Sequence, residues 1–570
     1  MKKIIILSLM CFGVAAFAQK VSTVSPEWTL PIDGKTEAIF VSEFSGIPVV
    51  ETNKFCFGID YEKQEIIWKI KRKATVVSSV TLIPETPFAC ISDTLIDVTN
   101  GNVILENVYY VGQYLFPEIN TVLLQVQTKE TEQWHFVDME TKKIIWSKDI
   151  PKDGGFNLSF KTDNFKPSFI GKNIILKHKK MLYLVDSSNG NSIWESEGDP
   201  GNFFLDKNEK YMMTVEKGGG LFSSNEYGKK VTIINYNTGQ KLFKKPIEIA
   251  GSFVKFIQLD DENVLIAGRD GFNIYKYETG EQLWKKDYEA KKLNDVTITD
   301  EGFEVLYADQ KMIVDKTTGK ATLAKPVKVD EIKTPTDQHE FENGIIRIFK
   351  KSFASYLDFV DKTTNQPFWK AYLNIILIEF NNANNSFLAK AYGTSTEDIG
   401  YYLVQADPNA KVDKRNINNL PPKLFLEFVI PKEITSIQAR DNGYFLLGKT
   451  EYVFLDLLGM VVEQNYFKFP EKQFDAFDRN LLGGKQTEIA EQDKAIKRCT
   501  VRETKDFAYF LSGKPVDGET MMILIEIDKN SGQQSRVFNL GYNRYSIYEI
   551  SQVTNKLFAI IDGQLAAFNL

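Results

Sequence analysis

Histidine is nearly missing from this 570-residue chain: three residues, His135, His178 and His339, stand against 24 Tyr and 41 Phe. So thin a supply leaves no His-rich metal site and few bases for a catalytic triad. Cysteine is scarce as well. Cys11 lies in the N-terminal apolar stretch, and Cys56, Cys90 and Cys499 form an odd, scattered set that excludes a disulfide framework. A single bridge between Cys56 and Cys90 and a pair of buried free thiols both stay open. No two cysteines are adjacent, and no Cys-x-x-Cys-His haem attachment occurs. Beyond Gln19 there is no run of about 20 apolar residues such as a membrane helix needs. Charge of one sign is not in excess either: Lys+Arg 69 against Asp+Glu 75 gives a net -6, and the two signs are interspersed. That distribution offers no phosphate-binding stripe for nucleic acid. The clusters "KRK" (Lys71 to Lys73) and "KHKK" (Lys177 to Lys180) read as solvated turns. The glycine-rich "EKGGGLFSSNEYG" from Glu216 lacks the Lys-Ser/Thr ending and the helix of a phosphate loop, and reads as an excursion between strands.

What is present begins with the N-terminus. Lys2 and Lys3 precede an apolar stretch to Phe17, and Ala16 and Ala18 occupy the small-residue positions before a cleavage point. Residues 1–18 are therefore expected to be a secretory signal peptide, which makes the chain an exported, periplasmic or extracellular protein. Lipidation at Cys11 is the weaker alternative, because Met10 stands where a small residue belongs. Hydrophobic residues make up 43% of the chain, enough for a large core, and the aromatic excess favours strands over helices.

A nine-residue pattern recurs along the sequence. "DYEKQEIIW" (Asp60 to Trp68), "DMETKKIIW" (Asp138 to Trp146), "DSSNGNSIW" (Asp186 to Trp194) and "DKTTNQPFW" (Asp361 to Trp369) join an acid to a Trp eight residues on. Softer copies are "DVTNGNVIL" from Asp97, "NYNTGQKLF" from Asn235, "KYETGEQLW" (Lys276 to Trp284) and "DKTTGKATL" from Asp315. The acid's carboxylate suits the N–H groups of a turn. Gly190, Gly239, Gly280 and Gly319 suit a backbone with positive φ, a region Asn365 also tolerates. The terminal Trp offers a ring that buries about 150–250 Å². Positions 60, 97, 138, 186, 235, 276, 315 and 361 recur at intervals of 37 to 49 residues, the length of a four-stranded propeller blade. Short apolar segments broken by Gly, Asn and Asp exclude helical repeats of that length; "NFFLD", "YMMTVE" and "VTIIN" are three successive expected strands.

By "YETGEQLW" and "DSSNGNSIW" the turn resembles the docking turn of the quinoprotein-type (pyrroloquinoline quinone-like) β-propeller repeat. The register holds from Asp60 to Trp369; beyond it Asp407, Asp456 and Asp528 begin turn-like stretches that lack the Trp. The resemblance implies an all-β propeller over residues 19–570, with well-formed turns to about 370 and degenerate repeats over 371–570. About eight good and four degenerate turns predict two propellers totalling about twelve blades, one inserted into the other. A single eight-bladed ring with enlarged loops is the alternative. Residues 484–498, with Ile489 and Ile496 on one face, are expected to form a helical insertion. The last residues, "KLFAIIDGQLAAFNL", resemble the strand pair that leads into a turn but stop at Asn569, where the acid belongs, while "PEWTLPI" places Trp28 like the end of a turn without a beginning. The N-terminal strand is thus expected to complete the last blade and close the ring.

In function the resemblance divides. Enzymatic members of the family are dehydrogenases that hold pyrroloquinoline quinone and calcium, typically with a vicinal cysteine disulfide and an Asp base. This chain lacks the cysteine pair, and its repeated acids are explained by turn capping. No catalytic, cofactor-binding or metal-binding residue is assigned, and no cofactor is expected. Non-enzymatic members present loops to partner proteins. The expected role is accordingly an exported scaffold or binding protein for a protein partner at the cell envelope; a quinone-dependent dehydrogenase and a carbohydrate- or peptide-binding propeller are the alternatives.

Overall fold

The computed structural model describes residues 22–73, 79–150, 166–178, 180–218, 227–307, 310–323, 327–328, 335–351, 354–392, 399–410, 423–425, 434–467, 501–542 and 547–570. The expected signal peptide, the helical insertion at 484–498 and Cys499 lie outside them. Among the described residues the one helical element is a 3-10 turn, Pro117–Ile119; everything else regular is β.

Twelve sheets follow one another along the chain, eleven of four strands and one of five. Each is a blade, numbered here I to XII: residues 36–71, 80–106, 109–150, 168–197, 200–248, 253–289, 293–328, 337–372, 374–425, 436–466, 502–539 and 548–569. Within a blade the strands run as an antiparallel meander, as in blade I, where Thr36–Val41, Pro48–Thr52, Phe55–Asp60 and Glu65–Lys71 pair in sequence order. Twelve blades overturn the eight-bladed alternative: the repeats without Trp fold as full blades rather than as enlarged loops. The expected strands "NFFLD", "YMMTVE" and "VTIIN" are found as Pro200–Leu205, Tyr211–Lys217 and Tyr227–Asn235.

Burial explains the sequence pattern. The second and third strands of a blade are covered on both faces, so they read as continuous apolar runs instead of alternating. Pro48–Thr52, Phe88–Ile91 and Gly443–Leu447 are buried at every position. Fourth strands meet solvent and alternate: Ser192–Glu197 buries Trp194 and Ser196 and exposes Ile193, Glu195 and Glu197.

The chain forms two compact units. The first comprises residues 1–92, 97–102 and 335–570, and holds blades I and VIII to XII; the second comprises 93–96 and 103–334, and holds blades III to VII. Blade II divides between them. In sequence, the second unit is inserted into the first.

Blade XII receives only three strands from the C-terminal part of the chain. Its fourth is Trp28–Pro31, antiparallel to Gln564–Asn569, with Trp28 opposite Ala567. The Glu27 amide donates to the Ala567 carbonyl at 2.8 Å, and its carboxylate takes bonds from Asn569 Nδ2 and Lys556 Nζ. Trp28 is 9% exposed, packed near Phe558. A second strand, Ser22–Val24, runs parallel to Gln534–Asn539 and makes blade XI five-stranded. Nothing in the repeat pattern signals it, because it adds to a blade already complete.

Candidate functional site

The repeated turns have one geometry. Asp186 Oδ1 accepts the amide of Ser188 at 2.8 Å and its hydroxyl at 2.6 Å; Asp361 accepts the amides of Thr363 and Thr364, and Asp60 those of Glu62 and Lys63. These bonds hold the carboxyls of Asp60, Asp138, Asp186, Asp315 and Asp361 below the usual carboxylate range, the Ser188 hydroxyl and amide doing so for Asp186. Four residues after the acid φ is positive, at Gly190 (72°), Gly239 (71°), Gly280 (68°), Gly319 (65°) and Asn365 (58°). Gln64 and Lys142 adopt the same region at 59° and 60°, at a steric cost the glycines do not carry.

Each Trp reaches the next blade's turn. The indole N–H of Trp68 donates to Val98 O at 2.7 Å, Trp146 to Ser187 O at 2.8 Å, Trp194 to Tyr236 O at 2.6 Å, Trp284 to Lys316 O at 3.2 Å and Trp369 to Asp407 O at 3.2 Å. For Trp68, Trp146, Trp194 and Trp284 the ring lies against the glycine of that turn. A Cβ on Gly190, Gly239 or Gly319 would come within 2.4–2.6 Å of the facing indole. These glycines are needed twice, for backbone conformation and for ring contact. Because Trp369 bonds to Asp407 O, the acid's position in blade IX is Ala406, one residue before the Asp407 expected from the sequence. Asn343 adds a bond to Ala406 O at the same junction, and later blades dock by other means: Asn384 donates to Leu457 O, Tyr452 to Gly532 O, and Phe454 covers Gly532. At Leu457, one residue after Asp456, the accepting carbonyl keeps its place while the donor changes; at Gly532, four residues after Asp528, the acceptor moves as well, and no Trp search detects either.

Groups that suggest chemistry are held in structural roles. His135 is 3% exposed between Ser147, 2.7 Å from Nδ1, and Gln133, 3.2 Å from Nε2. Gln133 Nε2 donates to Asp149 at 2.7 Å, which turns its oxygen toward His135 and fixes the Nε2–H tautomer, with the Ser147 hydroxyl donating to Nδ1. A carboxyl, an imidazole and a hydroxyl thus lie in one chain, but an amide separates the first two. Burial, opposed by Asp149, pushes the imidazole down to about 4, too weak a base to activate Ser147 at neutral pH. His178 ends the strand Asn173–His178, edge-on to Trp134 and 3.8 Å from Glu132. His339, within the polar stretch "TDQHEFENG", is a strand residue stacked on Phe380 at 4.3 Å. Cys56 and Cys90 are both buried free thiols, and burial pushes Cys56 up to about 11. The clusters "KRK" and "KHKK" are not solvated throughout: the Arg72 side chain is 7% exposed, paired with Glu37 and fully buried Glu51, and Lys177 is 1% exposed on Asp199. Each offsets a buried carboxylate or carbonyl that the strand pattern alone does not reveal. Among the described residues no three His, Cys, Asp or Glu side chains gather to hold a metal ion.

The neutral state of His135 has a measurable consequence. Its folded value of about 4 lies below the ordinary 6.5, so the unfolded chain takes up the proton first and this group's destabilisation grows as pH falls from 6.5 to about 4. The full effect is on the order of 3 kcal/mol. A His135→Gln variant is expected to lose correspondingly less stability over that window, measured by urea unfolding at pH 7 and pH 4.5.

A cavity of about 520 Å³ opens in the first unit. Its walls come from three first strands, Thr36–Val41 of blade I, Val80–Leu82 of blade II and Tyr548–Ser551 of blade XII. Each ends its sheet and therefore has one edge without a strand partner in that sheet. Phe40, Val41, Leu82 and Ile550 are half-buried apolar wall residues, and Val553 is 55% exposed. The Glu549 carboxylate is gripped by Arg502 through Nε at 2.9 Å and Nη2 at 3.3 Å, while Glu43 is exposed. The turns that border it fit closely: a Cβ on Gly46, φ +72°, would lie 2.2 Å from Thr554 Cγ2. Sequence reasoning missed this site because its residues belong to turns and first strands, which vary from blade to blade. A second cavity, about 190 Å³ in the second unit, is smaller; of its charged wall residues Lys230 pairs with Glu216, and Asp199 pairs with Lys217 nearby.

The order of the blades and the turn-to-Trp docking define the chain as a β-propeller protein. No protein-family model matches it, and no curated protein does. Among solved structures it is similar to BamB from Moraxella catarrhalis, at 10% identity and TM-score 0.26, over 67% of this chain and 99% of that one. It is also similar to dihydro-heme d1 dehydrogenase NirN in complex with DHE, at 8% identity and TM-score 0.28 over 75% of each chain. A third is apo AztD from Citrobacter koseri, at 10% identity and TM-score 0.22, over 65% of this chain and 97% of that one.

Proposed function

We propose that the protein is an exported scaffold that binds a protein partner at the cell envelope through the cavity side of its first unit. The cavity carries this reading. At about 520 Å³ it falls within the size range of binding pockets, about 300–1,000 Å³, and it joins half-exposed apolar walls to a few fixed polar groups. Phe44, 48% exposed, and Val553, 55% exposed, add apolar surface in the bordering turns. The N-terminal Lys pair, apolar stretch and Ala-x-Ala support export.

The test is site-directed photocrosslinking in the native envelope. With a photoreactive residue replacing Phe44, one discrete adduct is expected, identified by mass spectrometry and re-formed from the two purified proteins. The same residue at Ile193, an exposed position of the second unit, is expected to give none. Absence of an adduct from Phe44, or equal adducts from both positions, would overturn the reading.

A further inference from the structure

The edge of the strand Thr36–Val41 differs from that of several other sheet-ending strands. On several of those, a side chain bonds the amide that follows it. Asn202 Oδ1 accepts from Phe203 N, Asp295 from Val296 N and Asp337 from Gln338 N, each at 2.8 Å, and Glu549 Oε1 from Ile550 N at 3.2 Å. Such caps occupy donors that would otherwise pair with an incoming strand. Among the described residues, no side chain caps the amides of Ile39, Phe40 or Val41. Their orientation follows from the ladder: Ser42 N donates to Ile47 O, and Phe40 lies opposite Val49, so in an antiparallel pair Phe40 and Ser42 face the neighbouring strand while Ile39 and Val41 face away from it. Phe40 and Val41 line the cavity, whose apolar walls lie across from them on Ile550 and Leu82.

Charge completes the picture. The Glu549 carboxylate already holds Arg502 and the Ile550 amide. Glu43, two residues past Val41 on the same wall, has no cation against it among the described residues. A bound group that used the free edge would thus meet backbone donors and acceptors, apolar surface and one unneutralised carboxylate in succession.

We propose that the edge Ile39–Val41 with Glu43 is a binding site for an extended peptide segment, added as a strand beside Val41, with an apolar side chain in the cavity and a Lys or Arg side chain on Glu43. Strand addition takes affinity from main-chain bonds and selectivity from alternate side chains, the combination these groups offer. The proposal rests on the partner-binding reading above and deepens it by giving the partner's chemistry.

The test uses the full mature chain and two labelled capped peptides, Val-Lys-Val-Lys-Val and Val-Glu-Val-Glu-Val, with fluorescence anisotropy at low salt. The Lys peptide is expected to bind saturably with Kd of about 1 mM or below, and the Glu peptide to bind at least about tenfold more weakly. Glu43→Lys, an exposed substitution, is expected to weaken the Lys peptide by about tenfold or more. Val41→Pro removes only an outward-facing N–H, a placement proline tolerates on an edge strand, and is expected to weaken both peptides while the melting temperature holds. Unchanged affinity in Glu43→Lys, equal binding of the two peptides, no saturable binding, or full competition by n-butylamine would each overturn the proposal. Crosslinking from Phe44 does not depend on peptide charge, so a partner captured there whose binding ignores Glu43 would refute this inference and leave the scaffold reading standing.

Discussion

Deleting residues 19–32 is expected to lower the first calorimetric transition of the protein by about 10 °C or more. The deletion removes Trp28–Pro31 from blade XII and Ser22–Val24 from blade XI, and leaves the edge of Gln564–Asn569 unpaired. Trp28 and Ile32 are 9% and 8% exposed in a cluster with Phe558, Ile560 and Leu565, and removal of a buried Trp alone costs about 3–5 kcal/mol. A second consequence is chemical, because an unpaired strand edge is a template for association. The truncated chain is therefore also expected to aggregate at concentrations where the intact chain stays monodisperse, as read by light scattering. Trp28→Ala, which keeps the strand and loses the ring, is expected to lower the transition without the aggregation. An unchanged transition in the deletion variant would mean that the last blade does not depend on its N-terminal strand.

That closing strand was legible in the sequence because two halves of one repeat lay at opposite ends: Trp28 without an acid, Asn569 without a Trp. Blades I to VIII were legible for a related reason. Their turns join a capping residue, usually an acid, to a positive φ and most often a ring contact, and few residue types meet these demands together. Blades IX to XII were legible only as a count. Asn384 supplies to Leu457 O the proton that a Trp supplies elsewhere, and Tyr452 bonds instead to Gly532 O, farther along its turn, so blades dock without the sequence mark. The cavity was not legible at all. Phe40, Glu43, Ile550 and Val553 come from opposite ends of the chain, and their neighbourhood exists only once the N-terminal and C-terminal blades stand side by side. His339 shows the same limit on a small scale: "TDQHEFENG" looks like a polar loop, yet Phe380, from the next blade, provides the ring that makes it a packed strand.

The largest effect of a single substitution is expected at Trp194. Trp194→Ala removes a ring that is 6% exposed within a cluster of Ile175, Leu182, Met212, Ile234 and Tyr236, at about 3–5 kcal/mol. It also strips the proton from Tyr236 O, and a buried carbonyl without a partner adds about 1–3 kcal/mol. Trp194→Phe keeps most of the apolar area and loses the donor, so it is expected to show the second part with little of the first. The matching change on the other blade is Gly239→Ala. At φ 71° an Ala costs about 1–2 kcal/mol in backbone strain wherever it sits, and here its Cβ would also stand 2.6 Å from the Trp194 ring. Only the second cost depends on the indole. In the double variant the ring is gone, the Cβ has room, and the strain alone remains. The two substitutions together are therefore expected to destabilise by less than the sum of their separate effects, with a coupling of about 0.5–3 kcal/mol in urea unfolding. Simple additivity would show that the glycine is kept for its backbone conformation and that the flat contact between ring and turn contributes nothing to holding blade IV on blade V.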